Sequence, residues 1–333
     1  MKPIHVGLVA DPAAPTEIAQ RMSNLRAPAG KGRAAWDIEV VSEPFTTGSE
    51  DVDTAMARLR DQARQHEWDF VIGLTELPLR HDDDSRYLLA KTDPQRSTAV
   101  LSLPALGGLR MHARARRAVR ALVSGMAEPT SQDEHRVPLP RHGGRARLLV
   151  GMVLANRPWL LVPGLKSALV AALATGAVAT INSTVWLLAG SLSWWRLMIA
   201  TIASIALVVG WLVIDGELWD RPDNNSAEAR ERSRLYNTST LVTLTIGVLI
   251  GYVALYLVNL VWALFILDPA VMGGYLQVSL GYGDLFVLAW FVASAATAGG
   301  ALGSGLESDE AIRAAAYSKR EEERRNRLAR EGG

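Results

Sequence analysis

Asp11, Thr75, Glu76 and His81 are the side chains whose types and spacing could build a binding site. Asp11 directly follows the apolar run Ile4–Ala10. Thr75 ends the run Asp69–Thr75, and Glu76 comes next. If both runs are strands of one parallel sheet, these groups sit beyond the carboxyl ends, where open α/β sheets bind ligands. Two carboxylates, a hydroxyl and an imidazole at that place offer both donors and acceptors to a polar ligand. His81 also opens the run Asp82-Asp83-Asp84, whose oxygens suit a hard cation. A row of acids at a loop tip is read here as solvated, and no metal site is assigned. No catalytic residue and no cofactor is assigned either, because GxGxxG after the first strand, a P-loop, GxSxG and HExxH are all missing. The chain has no cysteine, which excludes disulfides, thiolate metal sites and cysteine nucleophiles.

The elements that must hold these residues alternate in type. Ile4–Ala10 reads as a buried strand, too short for the apolar core of a signal peptide. Residues 15–25 read as a helix and Trp36–Val41 as a strand. Residues 51–67 read as an amphipathic helix with Val52, Met56, Leu59 and Ala63 on one face. Asp69–Thr75, Tyr87–Ala90 and Thr98–Leu103 are further strands, and 109–126 is a basic helix. Alternation of this kind predicts a three-layer α/β domain over residues 1–135.

The second half has a different character. No charged residue occurs between Lys166 and Arg196, Arg196 and Asp215, Arg234 and Asp268, or Asp284 and Glu307. About 20 apolar residues carry a helix across a bilayer core. The expectation is an all-α transmembrane four-helix bundle over 167–306, with spans near 167–189, 195–214, 240–267 and 284–306. Residues 136–166 read as a basic linker whose 148–165 stretch lies at the membrane interface. Residues 307–333 read as a charged helical tail, with pairs such as Asp309 with Arg313 and Glu321 with Arg325. Basic residues crowd one side of every span, with only Arg196 on the other. The positive-inside rule then puts both termini, the 215–239 loop and the α/β domain in the cytoplasm of an inner-membrane protein. The formal net charge of +1 gives no sign of a nucleic-acid partner.

Within the spans, small residues predict where helices approach: Gly176 in the first, Gly247 and Gly251 in the third, Gly299 and Gly303 in the fourth. Packing inside one bundle and a homo-oligomer seam both remain open for the fourth span. Asn182 and Asn259 are the amides well inside spans, and hydrogen bonding between helices is expected of them. No ionisable group other than tyrosine lies mid-span, which argues against a proton-driven pump.

Val278-Ser279-Leu280-Gly281-Tyr282-Gly283-Asp284 resembles a potassium-channel selectivity filter, whose backbone carbonyls replace the ion's water. Serine and leucine stand before the glycine where the filter has threonine and valine. Gly273 and Gly274 make the preceding stretch poor material for a pore helix. A glycine-rich turn, with Asp284 capping the last span, is the expectation.

The order of strands up to Ala99–Leu103 and the following helix loosely resembles archaemetzincin-type zinc peptidases, but the helix Arg117–Met126 lacks HExxH. A broader likeness rests on Gly151-Met152-Val153, Asn156-Arg157-Pro158-Trp159, Leu235-Tyr236-Asn237, Gly299–Ala311, Gly73–Leu79 and Ser102–Gly107. Through these the chain resembles an uncharacterised family of actinobacterial four-span membrane proteins with a cytosolic N-terminal α/β domain. The resemblance implies that architecture and no activity. The expected function is a non-enzymatic sensor or scaffold whose partner is the lipid bilayer. A transporter or channel subunit, or a membrane-bound enzyme using the strand ends, are the alternatives.

Overall fold

The run Ile4–Ala10 forms β1, and its Val6, Leu8, Val9 and Ala10 are wholly buried. A strand apolar at consecutive positions is covered on both faces, which suits the middle of a parallel sheet. The computed structural model describes residues 3–26, 35–46, 52–81, 84–93, 95, 97–108, 110–127, 135–140, 143–222 and 226–303. The described residues fall into two compact units. The first comprises those of Met1–Ala155 and Asn224–Leu235, the second those of Asn156–Asp223 and Tyr236–Ser318.

In the first unit β1 is followed by α1 (Ala14–Gln20), β2 (Trp36–Ser42), α2 (Val52–Gln65), β3 (Phe70–Thr75), β4 (Leu79–His81) and β5 (Asp84–Asp93). Then come β6 (Thr98–Ser102), α3 (Met111–Met126), β7 (His135–Pro138) and α4 (Gly144–Ala155). The sheet is seven-stranded, in the order β2-β1-β3-β6-β5-β4, with β7 paired to β5. β1, β2, β3 and β6 run parallel, and β5 is antiparallel to β4, β6 and β7. α1 and α3 share a core with one face of the sheet, through Ile18, Ala115, Val119 and Val123. α2 covers the other face through Val52, Ala55, Met56 and Leu59, at helical spacing. This is an α/β sheet region with helices on both sides.

β2 pairs only with β1 among the described strands, so it is an edge. Its outward positions carry Asp37 and Glu39. Asp37 lies 3.3 Å from the His5 ring, and Glu39 accepts the Trp68 indole N–H at 2.8 Å.

Where the sequence assigns a linker and an interfacial stretch, the described residues include β7 (His135–Pro138) and α4 (Gly144–Ala155), both within this unit. Leu148 and Met152 of α4 are wholly buried. At Gly151 the helix passes so close to the 3-10 turn Pro104–Leu106 that an added Cβ would lie 2.1 Å from the Pro104 carbonyl oxygen. No residue but glycine fits without moving backbone.

The second unit is helical. It contains α5 (Leu161–Gly164), α6 (Lys166–Thr180), α7 (Ser183–Ser191), α8 (Trp194–Asp215), α10 (Pro269–Leu276) and α11 (Tyr282–Gly303), with most of α9 (Ala227–Ile266). Among the described residues three helices are long and apolar enough to cross a membrane: Trp194–Asp215, Ala229–Ile266 and Tyr282–Gly300. A fourth crossing exists only if the bent pair Gly144–Gly164 and Lys166–Thr180 acts as one.

Three sequence expectations change here. The 167–189 span is interrupted at Ile181 and Asn182, because the Asn182 side chain accepts the Thr184 N–H and starts a new helix. The 215–239 stretch is not all loop, since α9 begins at Ala227 and carries Arg230, Arg232 and Arg234 on its first turns. Residues 269–276 are helical despite Gly273 and Gly274. Asp268 caps Ala270 N, Pro269 occupies the first turn, and the returning Val278 N–H reaches the Gly273 carbonyl.

Candidate functional site

β1 feeds β2 on one side of itself and β2 feeds β3 on the other, so the strand order reverses between β1 and β3. That reversal opens the crevice in which α/β sheets bind ligands. Asp11 leaves the end of β1 there, and Thr75 ends β3 beside it. The structure brings these two predicted residues together. Asp11 Oδ2 accepts the Thr75 hydroxyl at 2.7 Å and the Thr46 hydroxyl at 2.9 Å, while Oδ1 accepts the Phe45 N–H at 3.3 Å. Thr75 Oγ1 in turn accepts the Leu77 N–H at 3.1 Å, and the Ser102 hydroxyl donates to the Leu77 carbonyl at 2.8 Å. Asp11 and Thr75 are wholly buried, Thr46 and Glu76 nearly so.

A carboxylate so placed binds the chain itself. It ties the ends of β1 and β3 to the Phe45–Thr46 segment, and both its oxygens are engaged. His81 ends β4, but its side chain lies outside the described residues, as do Asp82 and Asp83. Among the described residues no group of three His, Cys, Asp or Glu is arranged to hold a metal. Nothing in the residue pattern marked Thr46, a loop hydroxyl without periodic neighbours. The pattern also hid Lys91, which is 1% exposed in β5 and pairs with Asp53 in the first turn of α2.

The helical unit holds a second polar cluster that sequence reasoning missed. The Trp290 indole N–H donates to Thr201 Oγ1 at 2.7 Å. Tyr252 Oη lies 2.9 Å from Ser294 Oγ and 3.1 Å from Thr201 Oγ1, and the two smaller hydroxyls are themselves 3.1 Å apart. Thr201 reaches the Leu197 carbonyl and Ser294 the Trp290 carbonyl. One assignment satisfies every hydrogen. The indole gives to Thr201, Thr201 to Leu197, Ser294 to Trp290, and Tyr252 to Ser294. Three helices, α8, α9 and α11, are thereby joined at one closed node. Trp290 and Ser294 are four apart on one helix face, which was the available signal. Sequence reasoning weighed amides and ionisable groups and passed over hydroxyls.

Tyr252→Phe removes the donor from that node. It is expected to lower stability in mild detergent by about 0.5–1.7 kcal/mol, the range for hydrogen bonds between apolar helices. Ser294→Ala should cost a similar amount, and the double variant less than the sum, because both act on one node. Thermal unfolding of the four proteins checks this.

The remaining predicted residues separate. Asn182 is exposed and caps α7 within its own turn, so it makes no bond between helices. Asn259 is buried and its amide donates to Leu255 of the same helix. Its Oδ1 lies 2.3 Å from where a Cβ on Gly176 would be, so α6 and α9 meet there. Gly247 likewise lies under Leu161 and the Pro158 carbonyl, whereas Gly251 makes only ordinary contact with Leu169. Gly299 meets nothing within 4 Å. The close approach of α11 is one residue on, at Gly300, against the Ala168 carbonyl and Ala172. Gly303 closes α11, and its surroundings lie outside the described residues. A cavity of ≈ 50 Å³ among these helices is lined by Leu165, Ala168, Ala172, Gly247, Gly251, Gly300 and further apolar side chains, not by either asparagine.

The filter-like run does not have a filter's extended backbone. Tyr282 and Gly283 are in the first turn of α11, and the Asp284 carboxylate accepts the Gly281 N–H at 2.8 Å as a cap.

Comparison with known proteins adds no function: no family model, no curated protein and no solved structure matches the chain.

Proposed function

We propose that the chain is a multi-pass protein of the inner (cytoplasmic) membrane, a member of the actinobacterial family that it resembles. Its helical region acts as a four-helix anchor. Its α/β region and both termini face the cytoplasm, and it works as a non-enzymatic scaffold or sensor. The observation that carries this reading is the closure of both polar clusters. The Asp11 carboxylate is engaged by Thr46, Thr75 and Phe45. The Thr201, Tyr252, Trp290 and Ser294 node is likewise complete without a ligand. A hydrolase or transporter needs groups free to meet a substrate. The sensor form of the reading is favoured by the position of Asp11 at the strand-order reversal. A homo-oligomer belongs to the same proposal, through the exposed Ala295 and Gly299 side of α11.

The lack of cysteine makes the topology directly testable. Single Ser191→Cys and Gln277→Cys variants are expected to react with a membrane-impermeant maleimide in intact cells. Ser226→Cys should react only after permeabilisation. External labelling of Ser226→Cys would sink the four-span orientation.

A further inference from the structure

α3 buries one stripe, Ala115, Val119, Val123 and Met126, and turns a purely basic face outward. Arg110, Arg114, Arg116 and Arg117 are exposed, Arg120 half-buried, and the helix contains no acid. Among the described residues none of these guanidinium groups has a carboxylate partner within ion-pair distance. Their neighbours add positive charge. Arg21, at the end of α1, lies 2.8 Å from His112 Nε2. Burial, and then the Arg21 charge, hold the His112 imidazole below its ordinary pKa against a weaker pull from Glu17; because a guanidinium only donates, Nε2 accepts from Arg21. Arg114 and Arg147 of α4 both donate to the Leu106 carbonyl, at 2.7 and 2.9 Å, sharing a neutral oxygen where an acid would be expected. Like charges gathered without compensation inside the protein are relieved by an external polyanion.

We propose that the outward face of α3 is a docking surface for anionic phospholipid headgroups. The proposal rests on the multi-pass reading above, under which the α/β region is tethered to a membrane and an anionic leaflet is an available polyanion. The other exposed positions of this helix are Ala113 and Ala121, so the face is cationic and presents no large exposed apolar side chain. It would lie on the headgroups through charge, without insertion. Contacts of that kind scale with the number of arginines and weaken with salt.

The test uses the full-length chain in lipid nanodiscs with one thiol, since the protein has none of its own. A fluorophore on Ala113→Cys reports the α3 face. The same label on Gln65→Cys of α2, on the other side of the sheet, is the control. In phosphatidylcholine discs containing phosphatidylglycerol, aqueous iodide should quench the Ala113 label about threefold less than in pure phosphatidylcholine, and high salt should abolish the difference. Arg116→Gln, Arg117→Gln and Arg120→Gln together should also abolish it, with an unchanged melting transition. The Gln65 label should not respond to lipid. Equal quenching in both lipids would overturn the proposal. So would protection that survives the triple substitution, which would mean cover by protein. Protection by duplex DNA in neutral discs would instead mark a nucleic-acid surface and overturn it too. Failure to co-elute with discs would overturn the multi-pass reading itself, a result read before any quenching.

Discussion

Asp11→Ala is expected to destabilise the α/β region by roughly 3–9 kcal/mol, because it strands three buried donors at once, each costing about 1–3 kcal/mol. The donors are the Thr46 and Thr75 hydroxyls and the Phe45 N–H. Against a typical total of about 5–15 kcal/mol, that loss would leave much of this region open at room temperature. Asp11→Asn keeps the shape and one acceptor and should cost less, about 1–2 kcal/mol, mainly by turning an amide N–H toward Phe45 N. Hydrogen exchange of the β1 and β3 amides in the detergent-solubilised protein gives the measurement. The opposite pattern would be as informative. A variant as stable as wild type that has lost a ligand would make Asp11 a binding residue and remove the scaffold reading.

Gly151→Ala should be strongly damaging to the chain's first unit. Its Cβ would lie 2.1 Å from a backbone oxygen, and a backbone carbonyl does not swing aside like a side-chain tip. Overpacking typically costs about 1–3 kcal/mol, and this site should reach the upper end or exceed it. α4 would have to lift, exposing Leu148 and Met152 and stretching the Arg147 bond to Leu106. Gly125→Ala supplies the contrast. It sits in α3 with nothing within 4 Å of the added carbon, so it should stabilise by about 0.5–1 kcal/mol through helix propensity. Thermal unfolding of both variants beside wild type separates the cases. A Gly151→Ala protein melting with wild type would mean that α4 packs less tightly than described.

The contrast between the two halves explains what was legible in the chain. β1, β3 and β6 announced themselves as short apolar runs, since a strand covered on both faces must be apolar throughout. Their ends then located Asp11 and Thr75 correctly. β4 and β7 were not read, because each is a few residues long beside Pro78 or Pro138 and exists through its pairing with β5. In the helical half, absence of charge located α8 and α11 but passed through Asn182-Ser183-Thr184, where a cap divides one apolar run into two helices. The start of α9 was missed for the opposite reason: Ala, Glu and Arg are good helix formers, yet their charge marked the segment as loop. On α11 the small-residue spacing was legible, but the contact within the chain falls at Gly300, one residue from Gly299. Ala295 and Gly299 share the exposed side, and Ala296 and Gly300 the buried one. Repeats of four occur on both sides, so spacing alone could not choose.

The edge strand β2 has a consequence for crowding. If the chain is membrane-bound, as proposed, its copies collide in two dimensions. An open strand would then meet its own copy edge to edge far more often than in free solution, and such meetings seed fibrils. The two carboxylates on that edge, Asp37 and Glu39, would face the same two in the approaching copy. Mutual repulsion between those carboxylates would oppose pairing of two β2 edges, as charges on natural edge strands do.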